Sequence, residues 1–215
     1  MDNKKYEFTG EEKTISIEIG SEVTVRRIRR IYDGLMGGWI EKESNLSHEG
    51  SCFVYDNATV TGNATVRGYA LVTGNANISG NATVQGSSIV EGYAAVQGSS
   101  IVEGNAKVSG NATVTGNSTV TGDAKVSGNA IAGGDATVSG NATVSGNAKV
   151  SENATVEGYA LVTGDAIISG YATVTGNSTV TGDATITGDD IVKGLSYITG
   201  YATISGDVCG GTEIW

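Results

Sequence analysis

The sequence predicts an all-β solenoid in which three short strands close each coil, and three observations carry that prediction. First, Asp56 to Ser205 divides into 25 consecutive six-residue units with no insertion, beginning DNATVT, GNATVR, GYALVT. A fixed short period marks a stacked-repeat architecture. Second, each unit alternates a small residue, an outward residue and an aliphatic one, as in Ala64-Thr65-Val66. Period two is the strand signature, so Ala64 and Val66 point inward while Thr65 and Arg67 point outward. Third, glycine followed by Asn, Asp or Tyr recurs at each unit boundary, where the chain must turn and positive φ is common. Proline is absent, as expected where strands must donate to a ladder.

Three units make an 18-residue coil, and coils stack at about 4.8 Å. The small-x-aliphatic unit resembles the left-handed β-helix family of hexapeptide-repeat proteins, and that resemblance implies the left hand. Here glycine falls two places after the aliphatic residue, one place later than that family often has it. Spacing alone leaves a right-handed solenoid as the alternative. Low complexity does not mean disorder here, because strict alternation buries one side of every unit.

Residues 1–37 are expected to form an N-terminal β cap, 38–209 the β-helix and 210–215 a C-terminal tail. Within the cap, Lys5–Thr9, Thr14–Glu18 and Val23–Ile31 read as strands, with a turn at Ile19-Gly20-Ser21. Arg26-Arg27-Ile28-Arg29-Arg30 is the one basic run; solvated arginines balanced by Glu7, Glu11, Glu12 and Glu22 explain it better than a nucleic-acid contact. Read backwards from Asp56, GSCFVY, SNLSHE and GWIEKE keep the six-residue register. Ile40, Leu46, Cys52 and Val54 then face inward, His48 falls at an inward phase, and Trp39 covers the open first coil.

The segment GGWIEKESNLSHEGSCFVYDNA, with KYEFTG and RRIRRI before it, resembles a family of phage and bacterial hexapeptide-repeat proteins often labelled as acyltransferases by similarity. The match covers the cap and first coils specifically. It implies a bacterial or phage cytoplasmic protein with a left-handed β-helix.

The net charge is −10. After residue 50 there are 5 Lys or Arg against 13 Asp or Glu, so no basic stripe follows the rod and direct phosphate-backbone binding is disfavoured. Neither a signal peptide nor a transmembrane run is expected. Cys52 on an inward position and Cys209 on an outward one near the other end are expected to stay unpaired, which suits a reducing cytoplasm. The repeated Asn-Ala-Thr triplets match the glycosylation sequon only because the repeat contains it.

No enzyme is expected. An acyltransferase of this fold uses a histidine base near a subunit boundary, with loops that leave the coils. A general base needs a titratable group within hydrogen-bond reach of substrate. This chain has a single histidine, His48, which is the only catalytic candidate if the chain is an acyltransferase; a structural role suits it better. No cofactor and no metal ligand set is expected. Asp190 occupies an inward small position and is expected to bend out to a corner, since a buried carboxylate needs partners. Ala132-Gly133 thins the column.

The outward residues form three ladders. One runs Thr65, Thr83, Ile101, Thr119, Thr137, Thr155, Thr173, Ile191. The second begins Leu71, Ile89, Lys107, Lys125 and ends at Tyr197, and the third begins Thr59, Asn77, Ala95. Thr119, Thr137, Thr155 and Thr173, with the apolar Leu71 and Ile89, are the candidate binding surfaces, because exposed apolar ladders mark interfaces. Thr-x-Thr rows also resemble the ice-binding faces of some antifreeze proteins, but on the first ladder's face complete pairs occur only at Thr119/Thr121 and Thr173/Thr175. After Val208 the pattern is lost at Gly210-Gly211, where Ile214 and Trp215 cover the last coil or meet a second copy. The reading as a whole is a non-catalytic binding or scaffold protein, a dimer or trimer that holds a protein or small ligand, without nucleic acid or membrane. An acyltransferase and an ice-binding protein are the alternatives.

Overall fold

Each six-residue unit folds as a two-residue strand and a corner. In a computed structural model that describes residues 4–18 and 21–215, the strand is the outward–aliphatic pair, as at Thr65–Val66. Glycine opens the corner with φ near +70°, and the N–H three residues after the corner's first residue returns to its carbonyl, as Ala64 does to Thr61 at 3.3 Å. Positive φ at the first central residue alone is the pattern of a type II′ turn, which only glycine adopts without strain.

Units three apart stack in parallel, giving three faces. Face A has twelve strands, face C ten and face B nine. On face B, Thr65 lies beside Thr83 and Val66 beside Val84, and the same 18-residue step repeats along the rod. All three expected ladders occupy one face each. The enclosed column is a single core in which the repeat's Ala and Val or Ile side chains, from Ala58 to Ile198, are all but fully buried. Where serine replaces alanine, its hydroxyl donates to the carbonyl three residues back, as Ser118 does to Thr115 at 2.8 Å. A polar atom in this dry column is thereby satisfied locally. Ala132 is fully buried and the ladder continues through it.

The ends depart from the expected register. Ile40 pairs with Val60, and Leu46 bridges Val66, steps of 20 residues. Val54 pairs with Val72, the usual 18. Two extra residues therefore lie between Leu46 and Val54, and the unbroken register expected there is corrected. The reason is that Ile40 and Leu46 fill the aliphatic slot, not the small one. At the other end Val192 pairs with Val208 and Ile198 with Ile214, steps of 16. The expected loss of pattern after Gly210 is thus corrected too: Glu213–Ile214 is a strand of face C. Asp190 does bend outward, and its carboxylate accepts the Gly206 N–H at 2.8 Å in this shortened coil.

Lys5–Thr9 and Thr14–Glu18 prove to be parts of one strand, β1 (Tyr6–Glu18), with a register shift between Phe8 and Glu12 around Gly10 at φ +89°. Strand β2 (Ser21–Arg30) pairs with it antiparallel, and the expected turn at Ile19-Gly20 lies outside the described residues. Strand β3 (Met36–Ile40) then pairs antiparallel with β2 on one side and parallel with Thr59–Val60 on the other. Cap and solenoid share this sheet. Trp39 does not cover the coil end. It points outward beside Thr59, between Lys13 Nζ at 4.3 Å from the ring centroid and the Arg27 guanidinium at 5.5 Å. The Lys13 amine is held below its ordinary pKa, first by burial and then by Arg27. The described residues contain one 3₁₀ turn, Glu43–Asn45, and no helix long and apolar enough to cross a membrane.

Candidate functional site

The two inserted residues place the segment Ser47–Ser51 outside the column, against the start of β1. There the buried Tyr6 hydroxyl donates to the carbonyls of Glu43 and Leu46, both at 3.0 Å. Burial, reinforced by the nearby Glu43 carboxylate, pushes its phenol above the ordinary range.

His48 was expected inward but stacks on the Tyr6 ring, centroids 4.3 Å apart, with a quarter of its side chain exposed. The register change moves it there. Its Nδ1 accepts the Lys5 N–H at 3.3 Å and its Nε2 lies 2.9 Å from Glu43 Oε1. With Nδ1 accepting from the backbone, the network assigns the proton to Nε2, which donates to the carboxylate. Both ring nitrogens are thus engaged, Nδ1 in fastening the cap to the first coil and Nε2 within that coil. Lys4 completes the group, its Nζ 2.7 Å from Glu43 Oε1. That ammonium first, then His48, holds the Glu43 carboxyl below its usual range.

Beside this group Cys52 is buried, as expected, and its Sγ lies 3.0 Å from Lys5 Nζ. Together with Arg30, Tyr32, Gly50, Ser51 and Phe53 these two side chains line a pocket of about 260 Å³. Arg30 is fixed by Asp33 through Nε at 3.0 Å and Nη2 at 2.6 Å. Its guanidinium also sits over the Tyr32 and Phe53 rings at 4.8 and 5.4 Å. The basic run is otherwise spent within the cap: Arg27 pairs with Glu11 at 3.1 Å, Arg29 with Glu7, and Arg26 donates to the Glu41 carbonyl.

The Arg30 bond is the main cause that lowers the Asp33 pKa from 3.8 to about 2. Asp56 is lowered as well, by the Thr73 hydroxyl at 2.5 Å and then by the Gly74 N–H at 3.0 Å. Carboxyls depressed on folding stabilise fully above their ordinary pKa and lose that contribution as pH falls through the folded value. The cap is therefore expected to loosen between pH 3.8 and about 2. In Trp215→Phe, where Trp39 is the remaining tryptophan, its emission should shift to the red in that window, and Asp33→Asn should remove part of the transition. A titration unchanged by Asp33→Asn would contradict this.

The candidate binding residues of the sequence do not come together. Thr119, Thr137, Thr155 and Thr173 form one continuous row on face B. Leu71 and Ile89 lie side by side on face C. The row next to the threonines is polar and bonded along the rod: Arg67 Nε donates to Gln85 at 2.6 Å, and Gln85 Nε2 to Glu103 at 2.7 Å. Corner amides stack likewise, Asn111 to Asn129 at 3.0 Å and Asn147 to Asp165 at 2.8 Å. These ladders occupy side-chain donors in holding coil to coil. Among the described residues no three of His, Cys, Asp and Glu gather as metal ligands would. Sequence reasoning missed the Lys5–Cys52 contact, for which the only signal was a cysteine at an inward position near the cap.

The three-faced column with its 18-residue ladders defines a β-solenoid repeat protein. Residues 53–68, 76–92, 106–122 and 136–152 match the family model of the YdcK β-solenoid repeat. Among solved structures the chain is similar to the Arabidopsis UDP-N-acetylglucosamine acyltransferase, at a TM-score of 0.66 and 11% identity over 80% of this chain and 67% of that one. At that identity the likeness is one of fold. No curated protein matches the chain.

Proposed function

We propose that this chain is a non-catalytic binding or scaffold protein that works through its solenoid surfaces and N-terminal cap as a dimer or trimer. It would hold a protein or a small ligand in a bacterial or phage-infected cytoplasm, in keeping with the resemblance of its cap. The observation that carries this reading is the engagement of the single histidine: a base whose lone pair accepts a backbone N–H has none left for a substrate. The repeats add no loop between Asp56 and Ser205 that could cover an acyl donor. The acyltransferase among its structural neighbours keeps a second reading, acyl transfer, in play.

Calorimetric titration with acetyl-CoA, alongside light scattering coupled to size-exclusion chromatography, separates the two. The expected results are no saturable heat and a defined dimer or trimer. Saturable acetyl-CoA binding with an acyltransferase activity lost in His48→Ala would establish the second reading. A clean monomer would remove the homo-oligomer from the first.

A further inference from the structure

Lys5 is the one basic group of the cap pocket whose charge nothing in the described structure answers. Arg30 beside it is neutralised by two bonds to Asp33. The Lys5 ammonium instead touches the Cys52 Sγ at 3.0 Å and the Glu49 carbonyl at 3.5 Å, and among the described residues no carboxylate lies within ion-pair distance of it. An ammonium carries three donors, and a thiol is a weak acceptor. The Lys5 ammonium is thereby left with a donor free for an anion that enters the pocket. The rest of the pocket is lined by Tyr32, Gly50, Ser51 and the nearly buried Phe53.

From these observations we infer that the pocket binds a small organic monocarboxylate with an aromatic or apolar body. The carboxylate would take the third Lys5 donor, and the body would rest against the exposed Tyr32 side chain at the pocket mouth, because the Arg30 guanidinium already occupies the space over the Tyr32 and Phe53 rings. One unanswered positive charge suits a monoanion; a phosphate dianion would need a second, and the Arg30 charge is already matched. At about 260 Å³ the space falls just short of the ~300 Å³ at which sites for drug-sized ligands begin, so the occupant is small. This deepens the binding-protein reading, on which it rests.

Benzoate is the probe, titrated calorimetrically against the full chain at neutral pH, with its neutral isostere benzamide as the comparator. Benzoate should bind saturably in the millimolar range or tighter, and benzamide about tenfold or more weakly, the scale of one charge-assisted hydrogen bond. Lys5→Met should weaken benzoate by a similar factor without changing benzamide, with circular dichroism checking that the cap is intact. Tyr32→Ala should weaken both. Absence of saturable benzoate binding, or equal affinity for benzoate and benzamide, overturns the proposal even if Lys5→Met fails to fold. If benzoate does not bind while the oligomer persists and acetyl-CoA is refused, the pocket fails and the scaffold reading stands; acetyl-CoA turnover would overturn the scaffold reading, while the benzoate titration alone decides the pocket.

Discussion

Gly116→Val should lower the stability of the rod by about 3 kcal/mol or more, because two separate costs fall on one residue. Gly116 adopts φ +75°, and a Cβ there would sit 2.4 Å from the Gly134 carbonyl oxygen of the next coil. A non-glycine residue in the left-handed region costs about 1–3 kcal/mol, and a β-branched one fits it worst. The overlap with Gly134 must then be relieved by parting two coils that otherwise stack throughout. The natural Glu152 shows what the column tolerates. It holds φ +60° at the glycine position, and its carboxylate accepts the Gly170 N–H at 2.8 Å. Gly133 provides the contrast. It is not in the left-handed region, and the nearest atom to its Cβ would be Thr115 Cγ2 at 3.4 Å. Gly133→Ala should be neutral or stabilising by about 0.4–1 kcal/mol, through the unfolded chain. Denaturant midpoints of both variants check this, and a Gly116→Val midpoint at or above wild type would refute it.

Asn45→Leu is expected to have the second large effect, about 3 kcal/mol or more, concentrated in the cap. Asn45 is fully buried. Its Oδ1 accepts the Lys42 N–H at 2.8 Å, and its Nδ2 donates to the Gly62 and Ala64 carbonyls at 3.1 and 2.8 Å. Leucine has a comparable volume but none of these bonds, and each buried group left unpaired costs about 1–3 kcal/mol. The 3₁₀ turn would lose its fastening to the second coil, and with it the seat of Tyr6 and β1. Hydrogen exchange should quicken over residues 5–46 and stay slow over residues 100–190. Uniform loss of protection, or none, would show that Asn45 does not act as this local clasp.

The middle of the rod was legible because every unit repeats the same instruction. Thr137, for example, could be assigned to one face with Thr119 and Thr155 from spacing alone, since each step of 18 residues returns to the same edge of the triangle. The ends were not legible in the same way. Ile40 and Leu46 are apolar and inward in either register, so the sequence cannot say whether they fill the small or the aliphatic slot. Only pairing with Val60 and Val66 decides it. That two-residue difference carries His48 from an inward phase to the surface. At the other end Gly210-Gly211 reads as a break, yet a coil shortened by two residues places Ile214 beside Ile198.

What the sequence by itself determined is therefore the column: alternation sets inside and outside, glycine sets the corner, and an unbroken six-residue period sets the stacking. These are local rules, and each unit obeys them without reference to distant chain. What only the tertiary structure decided is the cap. Lys5 and Cys52 are 47 positions apart, and no periodicity links them. They meet because β1 folds back through β2 onto β3 and because two inserted residues push Ser47–Ser51 against it. A contact between a non-repeating strand and an irregular coil depends on how both pack, so it becomes visible only when the chain has folded.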